Sequence, residues 1–124
     1  MSAEKYKLKF TLPNIGEARG ELLRIKGPHL TEKINRSLPI TSRGLKRDDM
    51  FVIPVNVIYV IERPTQTGRR GDILFSSTSK AIIILLKEKR LDFKVANLGS
   101  ITKNIKIFDQ PTVSSGVRIE EINE

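Results

Sequence analysis

The sequence predicts a mostly-β domain, folded as a closed or nearly closed β-barrel with one short capping helix. Seven or eight short stretches have the residue types of β-strands, and turn residues separate them at intervals of about eight to twelve residues. One further stretch has helical spacing. The chain of 124 residues is the size of one ordinary domain, and 39% of its residues are hydrophobic. We therefore predict a single domain over residues 1–124, without internal repeats.

The first two predicted strands follow each other across a tight turn. In residues 5–12 apolar and polar residues alternate, which places two aromatic residues and two leucines on one face and three lysines on the other. Residues 13–16 have the composition of a turn, and residues 18–25 are predicted as the second strand.

Residues 28–38 carry the clearest helix signal. Pro28 suits the first position of a helix, where a backbone N–H would have no partner in any case. Leu30, Ile34 and Leu38 recur at every fourth residue and form one apolar stripe. The proline that follows is expected to end the helix. We predict that the stripe packs over one opening of the barrel.

The middle of the chain alternates polar and β-rich stretches. Residues 42–49 are polar and basic and are predicted as a loop, and residues 64–71 are predicted as a second loop. Pro54 separates the β-rich residues 50–53 from residues 55–61. Because proline cannot donate a hydrogen bond to a sheet, we expect a bend, a bulge or a sheet edge there.

The second half of the chain contains the most apolar stretch. Residues 81–86 are apolar on both faces, which is typical of a central, buried strand. Before it we predict a strand that begins at residues 71–75 and a hydroxyl-rich turn at 76–79. After it we predict a charged turn at 87–90 and an alternating stretch at 101–108 that includes Ile105 and Ile107. A loop at 110–116 and a closing strand at 117–122 complete the chain's predicted elements.

Composition restricts the possible function classes. Lys and Arg number 22 against 14 acidic residues, a formal charge of +8. That excess suits a polyanion partner, but a charge-rich chain without Cys or Trp is also typical of a heat-adapted surface, which is the interpretation we favour. No apolar run approaches the roughly 20 residues of a membrane span. With no cysteine and no apolar signal segment at its start, the chain is expected to be cytoplasmic.

The residue pattern predicts no catalytic residue, metal site or cofactor. His29 is the single histidine, and in the first turn of a helix it is expected to be exposed rather than to act as a base or metal ligand. The adjacent Asp48 and Asp49 would point to opposite faces of a strand, so salt bridges are their expected use. The candidate partners are Arg43, Lys46 and Arg47.

Four short segments stand in a recognisable order between residues 6 and 108. They are the helix that begins at a proline and ends in Leu38-Pro39; Asp48-Asp49-Met50-Phe51 with Ile53-Pro54; Gly71-Asp72-Ile73 ahead of the apolar strand; and Asn97-Leu98-Gly99-Ser100-Ile101. In this order and spacing they resemble the small cyclophilin-like β-barrel proteins of bacteria and archaea. A tryptophan before the acidic residue and a Pro-Pro-Gly turn, both frequent in that family, are missing here.

The resemblance implies a ligand pocket on the barrel. Its candidate residues are Arg43, Arg47, Asp49, Phe51, Asp72 and Phe75. Gly71-Asp72 also suits a simple turn, since glycine accepts a positive φ and aspartate can cap its own backbone. The arginine-and-phenylalanine signature of prolyl isomerases is not found, so efficient isomerase activity is disfavoured. Weak isomerase activity is the third of our hypotheses.

Basic residues cluster at candidate polyanion contacts. These are Arg69, Arg70, Lys87, Lys89 and Arg90. Nucleic-acid platforms interleave such residues with stacking aromatic side chains, and aromatic residues make up only 6% of this chain. The leading hypothesis is therefore a non-catalytic binding module for a small ligand or peptide, and the alternative is a nucleic-acid-binding accessory protein with weak affinity. The oligomeric state is left open.

Overall fold

The structure, a computed structural model, describes residues 4–122. The strands in this part of the chain are β1 (Lys5–Leu12), β2 (Gly16–Leu23), β3 (Ile40–Arg47), β4 (Met50–Pro54), β5 (Pro64–Gly68), β6 (Asp72–Ser76), β7 (Ala81–Leu85), β8 (Lys89–Lys103) and β9 (Ser114–Glu121). One helix, α1 (Pro28–Arg36), and two short 3₁₀ turns, Arg24–Lys26 and Ile105–Asp109, connect them. No helix within residues 4–122 is long and apolar enough to cross a membrane.

Eight of the strands close into an antiparallel barrel. Their order around the wall is β2-β1-β9-β3-β4-β7-β6-β8, and β8 pairs again with β2. At that closing seam Gly99 lies opposite Leu22, and Ser100 lies opposite Glu21. The predicted mostly-β, closed barrel with one short helix is confirmed. The predicted strand at residues 117–122 is also found, as part of β9, which lies between β1 and β3.

Helix α1 and the second 3₁₀ turn close the two ends of the barrel. α1 joins β2 to β3 at the end where β1 begins, and its Leu30 and Ile34 side chains are fully buried in the interior. Leu38, just after the helix, packs half-buried against the same core. The 3₁₀ turn joins β8 to β9 at the opposite end, where Phe108 is fully buried. The predicted packing of the apolar stripe is confirmed.

An outer ribbon covers part of the wall. β5 pairs with the first half of β8, and this ribbon adds a second apolar cluster outside the barrel. Strand β7 therefore has two buried faces: Ile82 and Ile84 belong to the interior core, whereas Ile83 and Leu85 pack with Leu91 of the ribbon. All five residues of β7 are buried, which confirms the predicted central strand.

Two segments predicted as loops are strands. Residues 42–49 contribute most of β3, which pairs with β9 and β4. The strand lacks apolar alternation because a β-carbon at its inward Gly44 would overlap the ring of Phe51 on β4. Residues 64–71 include β5, whose partner is the distant β8. In both cases the strand is stabilised by pairing with other segments, β3 with the adjacent β4 and the distant β9 and β5 with the distant β8, rather than by its own pattern.

Two β-like patterns do not form sheet. Residues 55–61 are extended but belong to no strand, and Asn56 at their start has a φ of 55°. Ile105 and Ile107, predicted in an alternating stretch, lie in the 3₁₀ turn that carries Phe108. The interior core takes up the inward side chains of both segments without a backbone ladder.

Candidate functional site

The interior of the barrel is filled with side chains. Phe108 meets Phe10 and Phe51 there, at ring-centroid distances of 5.8 Å and 5.5 Å. All three rings are fully buried, and both ends of the barrel are closed. The groove described below lies on the outer surface of the barrel.

The structure does not bring the six predicted pocket residues together. Phe51 and Phe75 point into the core and are fully buried. Arg43 and Arg47 lie on the opposite face of the wall, exposed on β3, where Arg43 Nε donates to the Ser114 hydroxyl at 3.2 Å. An arginine and an aromatic ring from these four positions thus cannot share one peptide groove.

Asp49 lies in the turn between β3 and β4. Its carboxylate pairs with Lys89 Nζ at 3.9 Å, and its carbonyl accepts from Leu86 N–H at 2.7 Å. The sequence suggested partners on β3 instead, and Lys46 in fact donates to the backbone carbonyl of Asp109. The expectation was wrong because the aspartates occupy a turn, with Asp48 at a φ of 51°, rather than a strand.

A groove of about 670 Å³ lies on the outer surface where β5 ends and where β6 and β8 begin. We call it the basic groove. Its lining residues are Lys26, Thr67, Gly68, Arg69, Asp72, Glu88, Lys89, Arg90 and Asn97. Four of them are cationic and two are acidic, so the lining carries a formal excess of two positive charges.

Asp72 is held in position on one wall of the groove. Its Oδ2 accepts hydrogen bonds from the Arg69 backbone N–H and from Asn97 Nδ2, both at 2.9 Å. The latter contact orients the Asn97 amide, because its NH₂ must face the carboxylate. Gly68 packs closely against the buried Leu85, since a β-carbon there would come within 2.7 Å of the Leu85 side chain.

The cations of the groove are loosely held. Arg69 lies 3.9 Å from Glu88, and both side chains are mostly exposed, so this pair contributes little. Lys89 is equally distant from its partner Asp49. Arg90 reaches the Gln66 side-chain oxygen at 3.4 Å, a long hydrogen bond. These side chains can therefore turn toward a bound anion at little cost.

The other two predicted polyanion contacts lie apart from the groove. Lys87 is exposed in the turn after β7. The Arg70 guanidinium donates a bidentate pair of hydrogen bonds to the Asp109 carboxylate, at 2.7 Å and 3.3 Å, and also donates to the Leu86 carbonyl. The hydrogen bond from the Arg70 guanidinium holds the pKa of the Asp109 carboxyl below its ordinary value. Arg70 thus has a structural partner already.

Four of the nine residues that line the groove are site candidates from the sequence. Arg69, Lys89 and Arg90 were candidate polyanion contacts, whereas Asp72 belonged to the separate pocket set. Lys26 and Asn97 were not singled out as site residues. No local signal marks Lys26, because only the folding of the β2–α1 connection brings it to the ends of β5 and β6.

Comparison with known proteins identifies the fold. No family model and no curated protein matches the chain. Among solved structures, the hypothetical protein AF2241 from Archaeoglobus fulgidus superposes with a TM-score of 0.79 at 18% identity, over 98% of each chain. McbB, in complex with tryptophan, superposes with a TM-score of 0.79 at 12% identity, over 94% of this chain and 45% of McbB. At these identities the likeness concerns the fold alone.

Proposed function

We propose that this chain is a non-catalytic binding module of the cyclophilin-like type, and that its basic groove holds a small anionic ligand. The observation that carries the proposal is the convergence of Arg69, Lys89 and Arg90, from two distant segments, on one groove. Arginine side chains recognise carboxylate and phosphate groups through paired hydrogen bonds. The order of the four family-like segments supports the cyclophilin-like assignment.

The chemistry of the groove supports binding rather than catalysis. Among the residues that line the groove, Thr67 carries the hydroxyl group. His29 lies away from the groove, on α1. Nucleophilic catalysis needs a nucleophile within hydrogen-bond reach of a base. Asp72 is engaged by the Arg69 backbone and by Asn97, so its carboxylate serves to shape the groove.

The test is thermal unfolding of the chain at low salt with inorganic phosphate, pyrophosphate, citrate or tryptophan. Tryptophan is included because McbB was observed in complex with it. A ligand that binds the folded state raises its stability by RT ln(1 + [L]/Kd). We expect at least one anion to raise the melting temperature and the double variant Arg69→Ala/Arg90→Ala to lose the shift.

The matched control is Lys103→Ala, which removes an exposed cation away from the groove. It should retain the full shift. If no probe stabilises the chain, or if Lys103→Ala loses the shift as the double variant does, the groove is not an anion site.

Nucleic-acid binding is the second candidate, and the outer face of β1 favours it. Lys5, Lys7 and Lys9 all lie on that face, with further cations on the adjacent strands. We call this surface the basic wall; it comprises Lys5, Lys7, Lys9, Arg19, Arg43, Arg47 and Arg118. Glu17, Glu21 and Glu120 lie on the same face, and Lys5–Glu21 at 3.3 Å is one of its ion pairs. These acidic residues partly neutralise the basic wall, and such a mixture of charges is also typical of a heat-adapted surface. Nucleic-acid binding is therefore the second candidate.

A further inference from the structure

An extended segment crosses the end of the barrel that α1 closes. Residues 55–61, which we call the strap, run without a turn or bend from the end of β4 to Glu62. Val55 and Val57 are buried in the interior core, and Tyr59 packs against it. The outward positions between them carry exposed apolar side chains: Ile58 is 67% exposed and Val60 is 72% exposed.

The strap has the alternation of a strand but has no strand partner among residues 4–122. At its start, the N–H groups of Val55 and Asn56 donate to the carbonyl of Lys80, at 3.0 Å and 3.2 Å. From residue 57 to residue 63, no backbone–backbone hydrogen bond is formed with any residue between 4 and 122. Unpaired backbone groups beside apolar side chains form an edge to which another strand can add.

The strap is held at its start by the Lys80 carbonyl, near its centre through Tyr59 and just beyond its end through Glu62, so the edge is already formed. Lys33 Nζ lies 5.7 Å from the centre of the Tyr59 ring. Glu62 Oε1 accepts hydrogen bonds from the His29 and Leu30 N–H groups, at 3.0 Å and 2.8 Å. These donors lie in the first turn of α1, where helix geometry leaves them without a partner. Little conformational entropy would be lost from the strap on binding.

The charged side chains around the strap indicate which kind of partner fits it. Exposed cations flank the strap, with Lys80 at its start and Arg63 at its end, and Lys33 lies beside its centre. The carboxylate of Glu62 faces the helix instead. In an antiparallel pair of two straps, Arg63 of one copy would lie beside Lys80 of the other, and like charges in contact are unfavourable. A second copy of this chain therefore fits the edge poorly.

We propose that the strap is a docking edge for an extended peptide that has apolar residues at alternate positions and acidic residues at its two ends. The peptide adds as a strand to the backbone of residues 57–61. Its apolar side chains cover Ile58 and Val60, and its carboxylates approach Arg63 and Lys80. This surface is separate from the basic groove, and the two proposals stand independently.

The test uses a short blocked peptide in which valine alternates with threonine and glutamate stands at both ends. Fluorescence anisotropy measures its affinity, and hydrogen exchange measures protection of the strap amides. We expect residues 57–61 to become protected and the affinity to exceed that of the same peptide with terminal lysines by about tenfold or more at low salt. Ile58→Lys should abolish binding.

Two control variants test whether the peptide binds at the strap rather than elsewhere on the surface. Ile25→Lys changes a residue that is 73% exposed and lies outside the strap, and it should leave peptide binding intact. Arg69→Ala/Arg90→Ala should do the same, because those residues line the basic groove. Equal affinity for the lysine-ended peptide, or binding without protection of the strap, overturns the proposal. A concentration-dependent dimer that Ile58→Lys dissociates would show that a second copy is the true occupant.

Discussion

Gly99 lies directly against the backbone carbonyl of Glu21, at the seam where β8 returns to β2 and closes the barrel. A β-carbon at this position would overlap that carbonyl oxygen. The opposing group is main chain within a paired strand, so it cannot move aside as a flexible side chain would. Closure of the barrel therefore depends on the lack of a side chain at one residue.

We expect Gly99→Ala to lower the free energy of unfolding by about 3 kcal/mol or more, or to prevent folding, because the two strands cannot approach to hydrogen-bonding distance. Urea denaturation followed by circular dichroism measures the effect. Gly116→Ala is the matched control, since a β-carbon there would make ordinary contact with Pro13 at 3.8 Å. If the two variants are equally stable, the seam does not depend on Gly99.

Ile83→Asp should abolish cooperative folding. Ile83 is 2% exposed and packs between β7 and the outer ribbon. An unpaired buried carboxylate costs several kcal/mol, which is a large share of the stability of a small domain. Ile58→Asp, at a residue 67% exposed, should change stability by no more than about 0.5 kcal/mol. A soluble Ile83→Asp variant with a sharp unfolding transition would contradict the burial seen here.

Phe108→Ala should lower the free energy of unfolding by about 3–5 kcal/mol, because it opens a cavity beside Phe10 and Phe51 at one end of the barrel. Thermal and urea denaturation measure the loss. Val113→Ala, in the following loop and 68% exposed, should have little effect. A loss below about 1 kcal/mol for Phe108→Ala would mean that the 3₁₀ turn does not close the core.

Asp109 should stabilise the fold in a pH-dependent way. Its pKa is lowered in the folded state by the hydrogen bond from Arg70, so its contribution is present above the unfolded pKa of about 4 and is lost as pH falls through the lowered folded value. Both side chains are 42% exposed, so the contribution should be in the range of surface pairs, about 0.2–1 kcal/mol.

Urea denaturation of the parent chain and Asp109→Asn at several pH values tests this. The variant should be less stable near neutral pH, and the difference should vanish in acid. Asp92→Asn, at an exposed position of β8, serves as the control. A difference between parent and Asp109→Asn that persists or grows in acid would contradict the sign of the effect.

Any binding of nucleic acid should be weak, electrostatic and indifferent to sequence. The outward residues of the basic wall include no aromatic side chain that could stack on a base. In a salt titration with several unrelated RNA and DNA oligomers, log affinity should fall with log salt by about 0.9 per neutralised phosphate on duplex DNA. A strong preference for one oligomer that survives about 200 mM salt would make nucleic-acid binding the leading function.

The elements that sequence predicts correctly are those whose own pattern requires burial. The alternation of β1, the stripe of Leu30 and Ile34 on α1, and the apolar run of β7 each leave one arrangement that removes apolar surface from water. The sequence does not predict β3 as a strand because its most buried position is Gly44, where the Phe51 ring of the neighbouring strand occupies the space of a side chain. The need to leave room for the Phe51 ring cannot be read from the residues of β3 alone.

In the candidate sites, too, some features can be predicted from the sequence and others depend on the tertiary structure. Arg69, Lys89 and Arg90 are visible in the sequence as cations, but their convergence with Lys26 depends on pairing of β5 with β8. The strap was predicted as β-rich, and its residues do alternate. Within the described part of the chain it has no partner strand, because β4 ends at Pro54 and β5 pairs with β8 instead.

The sequence by itself determined that this chain forms a mostly-β barrel with one helix at an opening, because periodicity of two or of nearly four is a local property that each segment carries. The tertiary structure alone decided that the interior is closed at both ends, that a basic groove forms outside it, and that the backbone of the strap is left unpaired by residues 4–122. These features arise from contacts between segments far apart in the chain, and such contacts are set by which surfaces meet when the barrel closes.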